Sequence, residues 1–276
     1  MQKIIVPLDF SKHSEYALET AASLAKEHGA ELLALHMLEL SRDRLTDSDD
    51  EQNAKMVFFL EMAKKRFNEF LERDYLKDVK VIPMVKHFKV FSEVSKVAED
   101  HSADLIVMGS HGTSGLSELF VGSNTERVVR HSDIPVLVIK SQPTTSGYAT
   151  GLFACDFTEE MIAPFNKALG FFSKNSIKMN LVYVNTPGGQ FKSSDEISQR
   201  VKTFFAKASG DMTEDDIHYI SDYSVEKGVF KFAEKINADL IAIPTHGRTG
   251  LSHFFSGSIT EDIANHANRP VLTIKI

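Results

Sequence analysis

Residues 122–140 read GSNTERVVRHSDIPVLVIK, and residues 257–275 read GSITEDIANHANRPVLTIK. Aligned at an offset of 135, the two stretches share ten identities in nineteen positions, which chance does not produce. The same offset pairs residues 103–106 with residues 238–241, both of which read ADLI. Self-similarity at a fixed spacing is the sequence signature of a repeated structural unit. The chain is therefore predicted to contain two copies of one unit.

The predicted boundary between the copies lies in residues 141–150, SQPTTSGYAT, which show no helix or strand periodicity. Nearer the start of each copy the offset rises to 147 and matches Asp9 to Asp156. The second copy thus lacks about twelve residues, which we place between its second strand and second helix, where loop length changes at low cost. We assign residues 1–140 to the first domain and residues 151–276 to the second, joined by the 141–150 linker.

Apolar periodicity predicts alternating strands and helices within each copy. In the first copy, short apolar runs typical of buried strands alternate with segments whose apolar residues recur at helical spacing. The predicted strands are residues 3–8, 31–38, 79–85, 105–108 and 135–139. Strands that alternate with helices form a parallel sheet covered on both faces. The predicted fold class is α/β, with two tandem Rossmann-like domains of five parallel strands each.

Composition and charge argue against several classes of partner. A net charge of −7 without a Lys/Arg block provides no footprint for DNA or RNA phosphates. No apolar stretch is long enough to span a bilayer, and the apolar run at residues 4–6 is too short for a secretory signal. The single cysteine, Cys155, excludes an intrachain disulfide, and we expect it to be buried on a strand. A cytoplasmic protein without membrane partners is predicted.

A candidate site follows from where ligands bind in such sheets, at the carboxyl ends of the strands where the strand order reverses. After the predicted fourth strand come Gly109 and Gly112 and, after nine intervening residues, Gly122-Ser123 at a helix start. Glycines let backbone N–H groups approach phosphate oxygens, and the Ser123 hydroxyl and helix N-terminus add further attraction for anions. After the first strand, Asp9 can accept hydrogen bonds from adenine or ribose. The sequence predicts phosphate binding at this edge.

The spacing of these glycines resembles the phosphate loop of ATP-binding members of the universal stress protein family, and the resemblance covers nearly the whole chain. It implies an adenine nucleotide alpha hydrolase-like fold for each copy and a regulatory, ATP-binding role in stress response. It also implies that Mg²⁺ or Mn²⁺ rides on the phosphates, so no metal site made of protein ligands is predicted. The nucleotide-binding residues implied in the first copy are Asp9, the main chain of Met37, Gly109, Gly112, Gly122, Ser123 and Asn124.

The second copy departs from this pattern at one position, where Pro244 replaces Gly109. Proline has no N–H and fixes φ near −65°, so the loop cannot form as it does in the first copy. We therefore predict weaker or absent nucleotide binding there. The equivalents that remain, a weaker second site, are Asp156, Val184, Gly247, Gly257 and Ser258.

Alternative interpretations of these residues stay open. The glycines could serve tight turns alone, and Asp9 and Asp156 could be neighbours of helix N-caps. His111 and His131 recur across the repeat but lack the spacing of zinc ligands on one element. His36 lies in an apolar strand and is expected to make a core hydrogen bond rather than bind a ligand.

No catalytic residues are predicted. The sequence shows neither a Walker lysine after the glycines nor a Ser/His/Asp set, and residues 6–11 lack the glycines of a dinucleotide or pyrophosphate loop. The predicted function is ATP-dependent regulation of an unidentified protein partner. A nucleotide-free interaction module stays open as an alternative, as do slow ATP hydrolysis and self-phosphorylation at Ser110, Ser114 or Ser123.

Assembly is predicted from the last strand of each copy. Residues 136–139 and 271–274 are apolar, and an uncovered strand edge invites pairing. The resemblance implies that these strands pair between domains. The two copies would then form an internal pseudo-dimer, with a homodimer of chains as a second step.

Overall fold

Ten strands alternate with helices along the described part of the chain. The computed structural model describes residues 1–38, 49–87, 93–110, 122–143, 147–245 and 266–276. The strands are β1 (Lys3–Leu8), β2 (Glu31–Leu38), β3 (Val81–His87), β4 (Leu105–Gly109), β5 (Val136–Ile139), β6 (Thr150–Ala154), β7 (Lys178–Asn185), β8 (Ile217–Ser221), β9 (Leu240–Thr245) and β10 (Val271–Lys275). The helices are α1 (Lys12–His28), α2 (Asp49–Leu71), α3 (Glu93–Asp100), α4 (Ser123–His131), α5 (Ile162–Lys174), α6 (Ser194–Phe205) and α7 (Val225–Lys235). The predicted α/β class is confirmed, with five strands in each half, although β3 begins two residues later than predicted.

The strands form one sheet in the order β3-β2-β1-β4-β5-β10-β9-β6-β7-β8. Within each half all pairs are parallel. The order reverses between β1 and β4 in the first half and between β6 and β9 in the second, so each half has one switch point. The last strands, β5 and β10, pair antiparallel and place Leu137 opposite Leu272. The predicted pairing between the two last strands is thus present within one chain.

The repeat extends to the contacts that anchor the first strand of each half. The carboxylate of Asp104 accepts the N–H groups of Gln2, just before β1, and of Lys3, its first residue. Asp239, which lies 135 residues later, accepts those of Ala149 and Thr150 at the start of β6, both at 2.8 Å. The strand β6 therefore begins at the last residue of the predicted linker.

Helix α1 shows how local sequence sets the elements around the first switch point. Its N-cap, Ser11, accepts the N–H of Ser14 through its hydroxyl, and its C-cap, Gly29, adopts a left-handed φ of 61° that favours glycine. Its apolar stripe packs against the sheet, where the side chains are removed from water. The buried apolar residues of α1 are Ala17, Leu18, Ala21, Ala22, Leu24 and Ala25.

Candidate nucleotide site

Asp9 directly follows β1 at the first switch point. Its Oδ1 accepts the N–H of Ser11 at 3.0 Å, which closes a short turn between the strand and α1. Asp9 is therefore a neighbour of the N-cap, as one alternative expected, while Ser11 itself caps the helix. The side chain is half-buried at the carboxyl end of β1. A carboxylate in this position can accept hydrogen bonds from a ligand seated over the switch point.

The turn after Asp9 passes through a left-handed residue. Phe10 has a φ of 65°, a conformation that costs a bulky residue of order 1–3 kcal/mol. Ring contacts with His36 and Phe70, at centroid distances of 4.4 and 5.4 Å, hold it there. The guanidinium of Arg66 lies over the same ring at 4.7 Å. The packing of Phe10 thus fixes the direction in which Asp9 leaves the strand.

The end of β2 is fixed by His36. Its Nδ1 donates to the carbonyl oxygen of Leu8 at 2.7 Å, so the predicted core hydrogen bond is confirmed. Burial lowers the pKa of His36 below its usual value. The imidazole is therefore neutral at pH 7 and ties the end of β2 to the end of β1.

The main chain of Met37 points toward the same edge. Along β2 the N–H groups alternate in direction, with that of Glu31 directed to the β1 side and that of Leu32 to the β3 side. By this alternation the main chain of Met37 is directed to the β1 side. The β1–β2 register ends at the Leu8–His36 pair. Met37 therefore presents backbone polar groups beyond the last residue of β1, where an adenine edge could be bound.

The end of β4 and the start of α4 are joined by two hydrogen bonds. The hydroxyl of Thr125 donates to the carbonyl oxygen of Gly109 at 2.8 Å, and the N–H of Gly122 donates to that of Ser110 at 2.7 Å. The structure thus brings Gly109, Gly122, Ser123 and Asn124 to one edge, whereas Gly112 lies outside the described residues. Sequence reasoning missed Thr125, although its identity with Thr260 in the repeat was a visible signal.

The N-terminus of helix α4 lies at this edge. Its N-cap is Gly122, and no side-chain oxygen caps the first turn. The first N–H groups of a helix have no partner within the helix, and the helix dipole makes that end attractive to anions. The N-terminus of α4, with the Ser123 hydroxyl beside it, is thus suited to a phosphate group.

Metal ligands do not cluster around this edge in the part of the chain that the structure describes. Within those residues no group of three or more His, Cys, Asp or Glu side chains could hold a metal ion. His131 bonds through Nδ1 to the carbonyl oxygen of Arg127 in its own helix. Its repeat counterpart, His266, contacts Glu226 at 2.8 Å. His111 and its counterpart His246 lie outside the described residues.

The second switch point holds its carboxylate deeper in the fold than the first does. Asp156 is only 2% exposed, and its Oδ1 accepts both the N–H of Thr158, at 3.0 Å, and the Thr158 hydroxyl, at 2.7 Å. Burial raises the pKa of Asp156 above its usual value. Thr158 occupies the repeat position of Ser11. The hydroxyl at this position caps the following helix in the first half but not in the second.

Pro244 and the helix start beside it differ together from the first half. Pro244 is buried in β9 opposite Ile274, the register position that Gly109 holds opposite Ile139 in β4. Because a proline ring needs space that α1 occupies beside Gly109, the second half cannot begin its helix in the same way. A 3-10 turn, Glu159–Met161, stands in place of the first turn of α1, and α5 begins after it.

The other residues of the weaker second site are divided between described and undescribed parts of the chain. Val184 lies in β7, where it pairs with Ile220 of β8, as Met37 pairs with β3. Gly247, Gly257 and Ser258 lie outside the described residues.

Both halves of the chain are similar to known proteins. The model of the universal stress protein family matches residues 1–140 and 152–275. The chain belongs to the universal stress protein family. Its two matches correspond to the two halves of the sheet, so this universal stress protein is a tandem member of the family.

Individual relatives agree with this assignment. The universal stress protein MJ0577 of Methanocaldococcus jannaschii is 32% identical over 154 residues, which cover 50% of this chain and 94% of that protein. The crystal structure of a universal stress protein from Archaeoglobus fulgidus covers 99% of this chain and 98% of its own, with a TM-score of 0.73 and 21% identity, and so shows the fold. A universal stress protein solved in complex with cAMP matches 51% of this chain with a TM-score of 0.35, too distant a likeness to identify a ligand here.

Among the described residues, every helix is either too short or too polar to cross a bilayer.

Proposed function

We propose that the first half of this universal stress protein binds ATP at the switch point between β1 and β4, and that the bound state regulates a protein partner in a stress response. One observation carries the proposal. The carboxylate of Asp9, the main chain of Met37 and the N-terminus of α4 belong to three elements that end or begin at the same sheet edge. Acceptors on one side and N–H donors on the other match the two ends of a nucleotide.

Each group at the proposed site contacts the part of ATP that matches its hydrogen-bonding chemistry. Asp9 accepts hydrogen bonds from adenine or ribose, and the backbone of Met37 pairs with the adenine edge. The phosphates accept hydrogen bonds from backbone N–H groups at Gly109, Gly112 and Gly122. Ser123 and Asn124 add donors at the first turn of α4. A Mg²⁺ or Mn²⁺ ion is carried on the phosphates and needs no protein carboxylate cage.

The second half binds nucleotide weakly or not at all under this proposal. Two observations support the difference: Pro244 lacks the N–H donor of Gly109, and Asp156 is 2% exposed whereas Asp9 is half-buried. A ligand in the second half would have to reach a carboxylate that is removed from the surface and hydrogen-bonded to Thr158.

Calorimetric titration of the full chain with ATP and Mg²⁺ tests the proposal through a matched pair of variants. We expect one site per chain in the wild type, loss of that site in Asp9→Ala and its retention in Asp156→Ala. Two equal sites would contradict the difference between the halves. Absence of heat with folded wild-type protein would remove ATP from the proposal and leave a nucleotide-free interaction module.

We expect ADP release in the same samples to be slow or absent, because the sequence shows neither a Walker lysine after the glycines nor a Ser/His/Asp set. We further propose a cytoplasmic protein in which β5 and β10 form an internal pseudo-dimer, with chains associating as a homodimer in a second step. The mass in solution tests that second step.

A further inference from the structure

The second half contains a cavity that the proposed nucleotide site does not use. Its volume is about 450 Å³, and it lies between the turn after β6 and the outward side of α6. Neither Asp156 nor Val184 lines it. The cavity therefore opens beside the second switch point rather than over the strand ends, and its size falls in the usual range for small organic ligands.

The floor of the cavity is apolar. Phe157 and Phe204, both 2% exposed, meet edge to face with their ring centroids 5.2 Å apart. Ile162, the first residue of α5, lines the cavity beside them. At the repeat offset of 147, Ile162 occupies the position at which α1 has the charged residue Glu15. The floor can cover the apolar body of a ligand.

The rim is cationic, and two of its three cations are paired with carboxylates. Lys207 contacts Glu159 at 2.7 Å, and Lys192 lies 3.8 Å from Glu196. Arg200, the third cation, is half-buried and makes no ion pair within the described residues, although its charge helps to lower the pKa of Glu196 and offsets part of the effect of burial on the pKa of Asp156. These residues give the rim a net positive charge.

Arg200 retains unused donor capacity. It donates one hydrogen bond, from Nη1 to the carbonyl oxygen of Asp156 at 3.3 Å. A guanidinium carries five N–H donors in a planar fork that matches the two oxygens of a carboxylate or phosphate. A cation with this geometry at the rim of an apolar cavity can bind an anion that carries an apolar group.

The first half has an arginine at the equivalent position but in different surroundings. Phe70 packs edge-on against Phe10 as Phe204 packs against Phe157, and an arginine precedes each by four residues. In the first half that arginine, Arg66, lies over the Phe10 ring. In the second half Arg200 instead contacts the main chain of Asp156 and lines the cavity.

We propose that this cavity binds a small organic anion, a carboxylate or phosphate monoester with an apolar body. The anionic group pairs with Arg200, and the body rests on Phe157, Ile162 and Phe204. The site is independent of the ATP site, because none of the described residues of the first half lines it.

Calorimetry on the full chain, with ATP and Mg²⁺ present at saturation, tests this proposal. The probes are phenyl phosphate and benzoate, with inorganic phosphate and benzyl alcohol as partial probes that lack the body or the anion. We expect at least one of the two complete probes to bind, and both partial probes to bind more weakly. Failure of both complete probes at about 10 mM, the weak limit for a small ligand, would overturn the proposal.

Variants identify the site. Arg200→Gln is expected to weaken binding about tenfold or more, because a charge-assisted hydrogen bond is lost. Lys202→Gln removes the same charge from the exposed side of α6 and should leave affinity unchanged. Glu159→Gln releases Lys207 and should tighten binding. The proposal would be wrong if Arg200→Gln and Lys202→Gln, in variants with native thermal stability, changed the affinity for the probe equally. It would also be wrong if ATP displaced the probe.

Discussion

Gly109 lies so close to the first turn of α1 that a Cβ on it would be 2.6 Å from the carbonyl carbon of His13. Real Cβ atoms essentially never approach that closely. Glycine is therefore required at the end of β4 for packing, independently of its part in the proposed ATP site. Helix α1 begins just after the short turn that Asp9 closes between β1 and α1. A shift of α1 away from the end of β4 would therefore also move the Asp9 carboxylate.

Gly109→Ala should lower both stability and ATP affinity. The added methyl group has to push the first turn of α1 away, and overpacking of this kind costs about 1–3 kcal/mol. Gly170→Ala is the control, since a Cβ at Gly170 in α5 meets nothing within 4 Å. That control should leave the free energy of unfolding unchanged or raise it by up to about 1 kcal/mol. Urea denaturation and ATP titration measure the two effects; equal stability of the two variants would contradict the packing role.

Asp156→Asn should stabilise the protein at pH 7 and have little effect near pH 3.5. Burial raises the folded-state pKa of Asp156 above the ordinary value of 3.8. As the pH rises above 3.8, the carboxyl group therefore loses its proton in the unfolded state before it does so in the folded state. The stability that Asp156 confers therefore falls as the pH rises from 3.8 through the folded-state pKa. An asparagine oxygen can still accept both hydrogen bonds from Thr158 without carrying a charge.

The measurement is the difference in denaturation midpoint between this variant and the wild type at the two pH values. Asp211→Asn, at an exposed position, controls for the loss of one negative charge. Destabilisation by Asp156→Asn at pH 7 would show that the carboxylate gains more from its contacts than burial costs it.

Cys155 should be inert to thiol reagents in the folded protein. It is 1% exposed, burial raises its pKa well above the usual value, and its sulfur accepts the N–H of Phe157 at 3.3 Å. Only the thiolate reacts rapidly, so labelling requires opening of the second half. Because Cys155 is the single cysteine, labelling with a chromogenic disulfide reports that opening directly.

An added cysteine supplies the control for this labelling. Ser209→Cys places a second thiol at an exposed position, and that thiol should react within the mixing time while Cys155 does not. Rapid reaction of both thiols under native conditions would mean that the turn after β6 opens readily.

The β5–β10 pair should couple the stability of the two halves. Leu137 and Leu272 are opposite each other across this antiparallel pair, and neither is exposed. Each truncation to Ala should cost about 2–5 kcal/mol, and the double variant should depart from additivity by about 0.5–3 kcal/mol. Leu137→Ala combined with Ile217→Ala, on the distant strand β8, is expected to be additive. Full additivity of the Leu137 and Leu272 changes would mean that the strands do not support each other.

The sequence by itself determined the duplication, the strands and helices of each copy, and the edge at which a ligand is expected. These follow from short-range patterns: apolar periodicity records which face of a segment is buried, and glycines, caps and prolines act on the few residues around them. Because of the repeat, a strand, helix or site position assigned in one half could also be assigned in the other. The site residues Asp9, Gly109 and Gly122 are visible in this way because they directly follow or precede predicted elements.

Only the tertiary structure decided how residues distant in sequence meet. It gave Gly109 its contact with His13, engaged Asp156 with Thr158, and left Arg200 at the rim of a cavity while Arg66 lies over a ring. It also paired β5 with β10. The physical reason is that such contacts depend on how whole helices and strands pack against one another. Where the first half has Gly109, the second half has the proline ring of Pro244, and its helix starts differently. Two similar sequences therefore form different sites.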